Sequence, residues 1–261
     1  MGRAKDKVAI VSGGASGIGR ATCKTLAREG AKIIIADINV TGAQKVAADI
    51  GDNAIALALD VTKEDQWQHC IAECIRHFGR LDIVVNGAGI GFSGNFEDSP
   101  IEQWQAMLDV NLTGVMLGCK HGIKGIKTSG DGGSIINISS LGGLVGAPDI
   151  VGYCASKGGV TLLTKSVALH CAQHKLNIRC NSVHPTYVDS EMLDSIADMF
   201  DSREAMVAAM AQEVPLGRIA QPQDIANVIL FLASDESAMM TGSPLIVDGG
   251  QTAGMPGKHS G

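Results

Sequence analysis

Short strand-like stretches recur along this chain of 261 residues, and several are apolar at almost every position and not at every second one. They are KVAIVS at 7–12, KIIIAD at 32–37, AIALALD at 54–60, LDIVVN at 81–86, GSIINIS at 133–139 and IRCNSVH at 178–184. Side chains of a strand alternate between the two faces of a sheet, so strands of this kind must be covered on both. Segments with helical spacing lie between them, at 18–29, 41–50, 63–78 and 101–125. Strand then helix, repeated, predicts an α/β fold with a parallel sheet and helices on both faces. A helix from Pro222 and a strand PLIVDGG at 244–250 complete the series. No linker rich in Pro, Gly or Ser divides it, and the 45% apolar content supplies one full core, so residues 1–261 read as a single domain. Only 187–221, polar and methionine-rich, breaks the rhythm. It follows a strand end, where open α/β sheets bind ligands.

A formal charge of −6 without any Lys/Arg block argues against a nucleic-acid or anionic-membrane partner. No segment approaches 18 continuous apolar residues, so a soluble, cytoplasmic protein is expected. Seven cysteines without a Cys-x-x-Cys pair fit a reducing compartment. Cys70 and Cys74, and likewise His170 and His174, are spaced to share a helix face. Neither pair has a third ligand nearby, so both read as ordinary packing and no metal is expected.

The first strand runs into Ser12-Gly13-Gly14-Ala15-Ser16-Gly17-Ile18-Gly19 and then into a helical pattern. Gly13, Gly17 and Gly19 let the backbone turn tightly and approach a pyrophosphate, whose charge a helix N-terminus favours. Asp37 ends the second strand 20 residues after Gly17, where a carboxylate accepts the adenosine ribose hydroxyls and repels a 2′-phosphate. No Arg or Lys occupies the loop or the two positions after Asp37, so NAD is expected over NADP. The alternative role for Asp37 is a helix cap.

Further along come Asn86-Gly87-Ala88-Gly89, Ser139-Ser140, and Tyr153 four residues before Lys157 on a helix. Together with Gly-x-x-x-Gly-x-Gly, these motifs resemble the short-chain dehydrogenase/reductase family over residues 6–250. The resemblance implies a Rossmann-type, doubly wound, seven-stranded parallel sheet in one domain, assembled as a homotetramer. It implies Tyr153, Lys157 and Ser140 as catalytic residues, with Asn111 holding a water in a proton relay. Ser139 competes with Ser140, but the family's thirteen-residue spacing to the tyrosine favours Ser140, and strand alternation lets only one face the site. Asn111 also reads as a helix-kinking residue satisfied by local backbone. For the cofactor, the resemblance adds Ser16, Ile18, Ile38, Asp60, Val61, Asn86, Ala88, Gly89, Pro185, Val188 and Ser190, with Tyr153 and Lys157 beside the nicotinamide ribose. Asp60 would hold an adenine amino group or cap a helix. Two departures stand out: Gly87 where the family has Asn, expected to loosen that turn, and Thr186 after Pro185 where it commonly has Gly.

Removing a proton from an alcohol as hydride leaves its carbon needs a base with a pKa near working pH. Free tyrosine titrates at about 10, and Lys157 with the cationic nicotinamide would lower Tyr153 from there. Ser140 would donate to the substrate oxygen. Gly158 and Gly159 would let this helix pack closely against a neighbour. Expected pocket walls are Phe92, Leu144, Val145, Ile150, Met192, Leu193, Ile196, Met199 and Phe200, with 187–212 as the covering segment. No Arg or Lys occurs from 182 to 202, so a neutral, apolar secondary alcohol or ketone is expected. INISSLGG and NSVHP resemble bacterial hydroxysteroid and alicyclic alcohol dehydrogenases, which points to a steroid or cyclic alcohol. Against an acyl-thioester reductase stand Asp37 and the acidic balance. Against a non-catalytic dinucleotide sensor stands the intact Ser140, Tyr153 and Lys157 set.

Overall fold

The computed structural model describes residues 2–254, apart from the side chains of residues 195, 196, 198 and 199. The expected wall positions Ile196 and Met199 therefore lie outside the described side chains. Seven parallel strands form one sheet: β1 Val8–Ser12, β2 Lys32–Asp37, β3 Ala54–Ala58, β4 Ile83–Asn86, β5 Gly133–Ile138, β6 Ile178–Pro185 and β7 Pro244–Val247. Their order is β3-β2-β1-β4-β5-β6-β7. The direction of winding reverses between β1 and β4, which opens a crevice above their carboxyl ends.

The continuous apolar strands are explained by two separate cores. Ala9, Val11, Ile33, Ile35, Ile83, Val85 and Ile136 face helices α1 (Gly17–Arg28), α2 (Val40–Ile50) and α8 (Pro222–Ala233). The intervening Val8, Ile10, Ile34, Val84 and Ile135 face α3 (Glu64–Phe78), α5 (Gly114–Ser129) and α6 (Val151–Gln173). Each fully buried isoleucine stabilises the fold by about 1.5–3 kcal/mol relative to exposure, so neither face tolerates a polar strand residue without a partner.

The helix expected at 101–125 is interrupted. It consists of α4 (Ile101–Leu108), one π-helical turn at Asp109–Thr113, and α5. The extra residue in that turn rotates Asn111 toward the loop after β4, where its side chain bonds the backbone of Ile90. Leu112 of the same turn fills the space left by Gly159, whose added Cβ would lie 2.8 Å from Leu112 Cδ2. Gly158 faces open space, so only one of the two glycines serves close packing.

The irregular segment after β6 forms a 3₁₀ run, Glu191–Met199, and helix α7, Arg203–Gln212. Ser202 caps α7 by accepting from the Ala205 amide at 3.1 Å. Met206 and Met210 do not reach the main cores; they build a third, small one with Ile219, against which Tyr187 and Leu193 pack. The segment is thus a folded flap with its own apolar interior.

Candidate active site

The crevice holds a cavity of about 570 Å³ that runs from Asp37 and Ile38 at one end to Tyr153 and Gln251 at the other. Its floor is the turn between β1 and α1. Gly13 has φ +70°, and a Cβ there would lie 2.8 Å from the Ala88 amide nitrogen. A Cβ at Gly19 would overlap the Gly13 carbonyl. The loops after β1 and β4 therefore meet backbone to backbone. Gly87 belongs to this contact: its amide donates to Ser12 Oγ at 3.1 Å, and an added Cβ would lie 2.8 Å from the Ser12 carbonyl oxygen. Gly87 thus sits in a close backbone contact that a side chain would crowd.

Ser16, Gly17, Ile18, Gly19, Asp37, Ile38, Asp60, Val61, Ala88, Gly89, Pro185, Val188 and Ser190 all line the cavity, as expected. Asp37 Oδ2 accepts from the Ala15 amide at 2.9 Å and Oδ1 from the Asn39 amide at 2.8 Å. The cap of α2 is Asn39, whose Oδ1 accepts from Gly42, so Asp37 does not cap a helix. Asp60 does not cap α3 either; Lys63 occupies that position, and Asp60 accepts from the amide and hydroxyl of Thr62.

Asn86 is a correction. As the last residue of β4 it turns away from the cavity and donates to Asn137 Oδ1 at 2.8 Å, beneath Gly118 of α5. Among the described residues its Oδ1 has no hydrogen-bond partner. Asn111 also stays behind the cavity wall. Oδ1 accepts from Ile90 N, while Nδ2 donates to Ile90 O and Ser156 Oγ, so it is held by a distant loop and not by local backbone. Both its hydrogens are used, and one Oδ1 lone pair is left to hold a water. Gly89 separates it from Lys157: a Cβ on Gly89 would lie 3.4 Å from both Asn111 Oδ1 and Lys157 Nζ.

Tyr153 and Lys157 stand one turn apart on α6, with Nζ 5.6 Å from the tyrosine ring centre. Nζ donates to the carbonyl of Ile138 at 2.9 Å, at the end of β5. Ser140 follows in the turn after β5 and lines the cavity, its Oγ accepting from the Gly142 amide at 3.1 Å. Ser139 also borders the cavity, but it is buried and its hydroxyl is spent on the Lys157 carbonyl at 2.9 Å, so it braces the helix. Within the protein alone, Lys157 does not lower the phenol. Burial raises the Tyr153 pKa above 10.0 and outweighs the opposing hydrogen bond from Ser140. Burial also pushes the Lys157 ammonium down to about 8.

Of the expected wall residues, Phe92, Val145, Ile150, Met192 and Leu193 line the cavity. Leu144 and Phe200 do not; Leu144 lies past the 3₁₀ turn Leu141–Gly143, and both project outward. Thr186, the other departure, donates its hydroxyl to Gln251 Oε1, joining the end of β6 to the loop after β7. Three residues that sequence reasoning missed matter here. Glu191 of the flap accepts from the Gly17 amide at 3.0 Å and pairs with Arg20 of α1 at 2.8 Å, across the mouth of the glycine loop. His184 is buried beneath Ser140, and Gln251 closes the far wall. Only a strand-end histidine in an apolar run hinted at any of these, because each acts through contacts distant in sequence.

This chain fits a nicotinamide dinucleotide. The glycine cradle rejects side chains where a pyrophosphate would approach, Asp37 waits where an adenosine ribose would end, and the phenol–ammonium pair stands at the opposite end. One end of the crevice can grip a dinucleotide and the other can exchange a proton, the division of labour of a nicotinamide-dependent oxidoreductase. Known proteins carry the same reading to a family. A family described as enoyl-(acyl carrier protein) reductase matches residues 13–252. The chain is 41% identical over 253 residues to an NADP-dependent (R)-specific alcohol dehydrogenase of Lentilactobacillus kefiri, covering 96% of this chain and 98% of that one. It is 42% identical over 255 residues to a 3-alpha-(or 20-beta)-hydroxysteroid dehydrogenase of Mycobacterium bovis, covering 97% and 92%. It is 41% identical over 256 residues to a cyclopentanol dehydrogenase of Comamonas testosteroni, covering 97% and 100%. A short-chain type dehydrogenase/reductase from Mycobacterium marinum superposes with a TM-score of 0.89 at 33% identity, covering 96% and 97%. The chain belongs to the short-chain dehydrogenase/reductase family, and its activity is that of an oxidoreductase acting on CH–OH groups.

Proposed function

We propose that the protein is an NAD-dependent dehydrogenase that interconverts an apolar secondary alcohol, a hydroxysteroid or cyclic alcohol, and its ketone. The observation that carries this reading is one cavity with the Asp37 carboxylate at its cofactor end and Ser140, Tyr153 and Lys157 at the other. A nicotinamide held there would supply the hydride acceptor for the carbinol carbon. Tyr153 takes the hydroxyl proton, and Ser140 donates to the oxygen as negative charge develops on it. Lys157, fixed on the Ile138 carbonyl, keeps a positive charge near the phenolate and, with a water held at Asn111, returns the proton to solvent. Phe92, Val145, Ile150 and Met192 supply apolar walls and exclude water from the reacting oxygen.

A steroid or ring substrate is supported by these walls, by the absence of Arg and Lys from 182 to 202, and by the named activities of two relatives. NAD is supported by Asp37, although one relative is NADP-dependent. A homotetramer is supported by the family and by Leu162 and Leu169, which project from α6 with 66% and 70% of their surface exposed. Cytoplasmic residence is supported by seven free cysteines. Among the described residues no helix is long and apolar enough to cross a membrane, and no group of three or more metal-binding side chains forms.

The test is absorbance at 340 nm with NAD or NADP and a panel of steroidal, cyclic and linear secondary alcohols, with acyl thioesters in the reductive direction. Turnover of ring alcohols with NAD is expected, and its loss in Tyr153→Phe with dinucleotide affinity retained. Turnover of thioesters alone, or an active Tyr153→Phe enzyme, would overturn the reading.

A further inference from the structure

We propose that His184 is a positioning residue that holds Ser140 in place at the point where the sheet can no longer do so. The proposal rests on the reading of Ser140 as donor to the substrate oxygen. The last main-chain bond between β5 and β6 runs from the Ser139 amide to the Val183 carbonyl, at 2.9 Å. One residue further, the strands part. Among the described residues the Ser140 carbonyl then has a single main-chain partner, the Gly143 amide at 2.9 Å, within its own turn. The tie to β6 is made instead by a side chain: His184 Nδ1 lies 2.9 Å from that carbonyl oxygen.

Elementary donor and acceptor rules fix the state of the ring. A carbonyl oxygen only accepts, so Nδ1 carries a hydrogen. Nε2 lies 2.8 Å from Ser182 Oγ. In the neutral ring with hydrogen on Nδ1, Nε2 is an acceptor and takes the Ser182 hydroxyl hydrogen. The imidazole is fully buried, and burial, aided by the nearby charges of Lys157 and Lys165, outweighs the opposing hydrogen bond to Ser140, lowers its pKa and so favours the neutral form. Ser182, His184 and Ser140 thus form a directed chain ending on the Ser140 peptide. Fixing that peptide aims the Ser140 side chain, because backbone and Cβ move together. An active-site donor is useful only when its direction is set before charge develops on the substrate.

The experiment compares two polar replacements of similar bulk. Asparagine can place a donor near the position of Nδ1, whereas glutamine reaches toward Nε2 and leaves the Ser140 carbonyl unserved. His184→Asn is expected to keep kcat within about fivefold of wild type. His184→Gln is expected to lower kcat about 30-fold, with the NADH dissociation constant, read by fluorescence titration, changed less than about twofold. In a Ser140→Ala background, His184→Gln should lower kcat no further, because its effect passes through Ser140. A folded His184→Gln enzyme with wild-type kcat overturns the proposal, as does an equal loss in the Asn and Gln variants. An additive loss in the Ser140→Ala background overturns it too, by showing a merely structural defect. If Ser140→Ala itself turned over at the wild-type rate, the reading of Ser140 would fall first, so the two failures are distinguishable.

Discussion

Tyr153 and Lys157 share a helical turn but leave their ordinary values in opposite directions, the phenol upward and the ammonium down to about 8. Both shifts come first from burial, which disfavours whichever form is charged. For the lysine this has a stability consequence. In the folded chain it loses its proton near pH 8, but in the unfolded chain only near 10.5. Across that window the unfolded chain binds more protons, so the contribution of Lys157 to stability rises with pH. Denaturant unfolding at intervals from pH 7 to 10.5 should show wild type gaining on Lys157→Met as pH rises; parallel curves would refute the burial argument. At the cofactor end, Asp37→Ala should weaken NAD relative to NADP by about tenfold or more, about 1.4 kcal/mol, in dinucleotide titrations. Tyr153, Lys157 and Ser140 were legible in the sequence because they sit at fixed short spacings. Glu191 and Arg20 were not: neither is unusual locally, and folding alone makes them partners. The direction of the tyrosine shift was also out of reach, since it depends on burial.

At the scale of single elements, α5 shows why helix extent is easier to read than helix geometry. Gly114, Gly118, Gly122 and Gly125 lie along one face, against Val61, Asn86 with Trp67, Val84, and Ile71 with Leu81. Glycine costs a helix about 1 kcal/mol relative to alanine at each position, yet here it lets the helix axis approach the sheet. Gly118→Ala should therefore destabilise the protein by about 1–3 kcal/mol, against the gain that propensity alone predicts. The added methyl would overlap Asn86 Oδ1 and approach Trp67, and chemical denaturation would reveal the sign. A periodic pattern locates such a helix but does not reveal a single π turn, because one extra residue hardly disturbs the pattern. That turn nevertheless decides where Asn111 points. Most other boundaries agreed to within two residues, but the last strand stops at Val247, three residues short of the expected 250, and α5 runs on to Ser129, four beyond the expected 125.

For the whole molecule, alternation of strand and helix was enough to predict a parallel, doubly covered sheet, and the seven stretches read as strands are the seven strands of the sheet. The flap was legible as an interruption. Its small methionine core was not, because Met206 and Met210 read equally well as pocket wall or interior. Leu162 and Leu169 predict assembly: sedimentation should give a mass near four times the 27.0 kDa chain. A monomer at micromolar concentration would exclude the tetramer. The glycine loop and Asp37 lie early in the chain, around β1 and β2, and Ser140, Tyr153 and Lys157 lie later, after β5 and on α6. Parts so divided invite recombination between relatives, an early segment from one joined to a late segment from another. The bridge from Glu191 to Gly17 and Arg20 sets a condition on such hybrids. Position 20 and position 191 would be inherited from different parents, so a cross that keeps the acid but loses the arginine leaves an unbalanced carboxylate at the mouth of the glycine loop. Compatible parents are those that match at these two positions, however similar they are elsewhere.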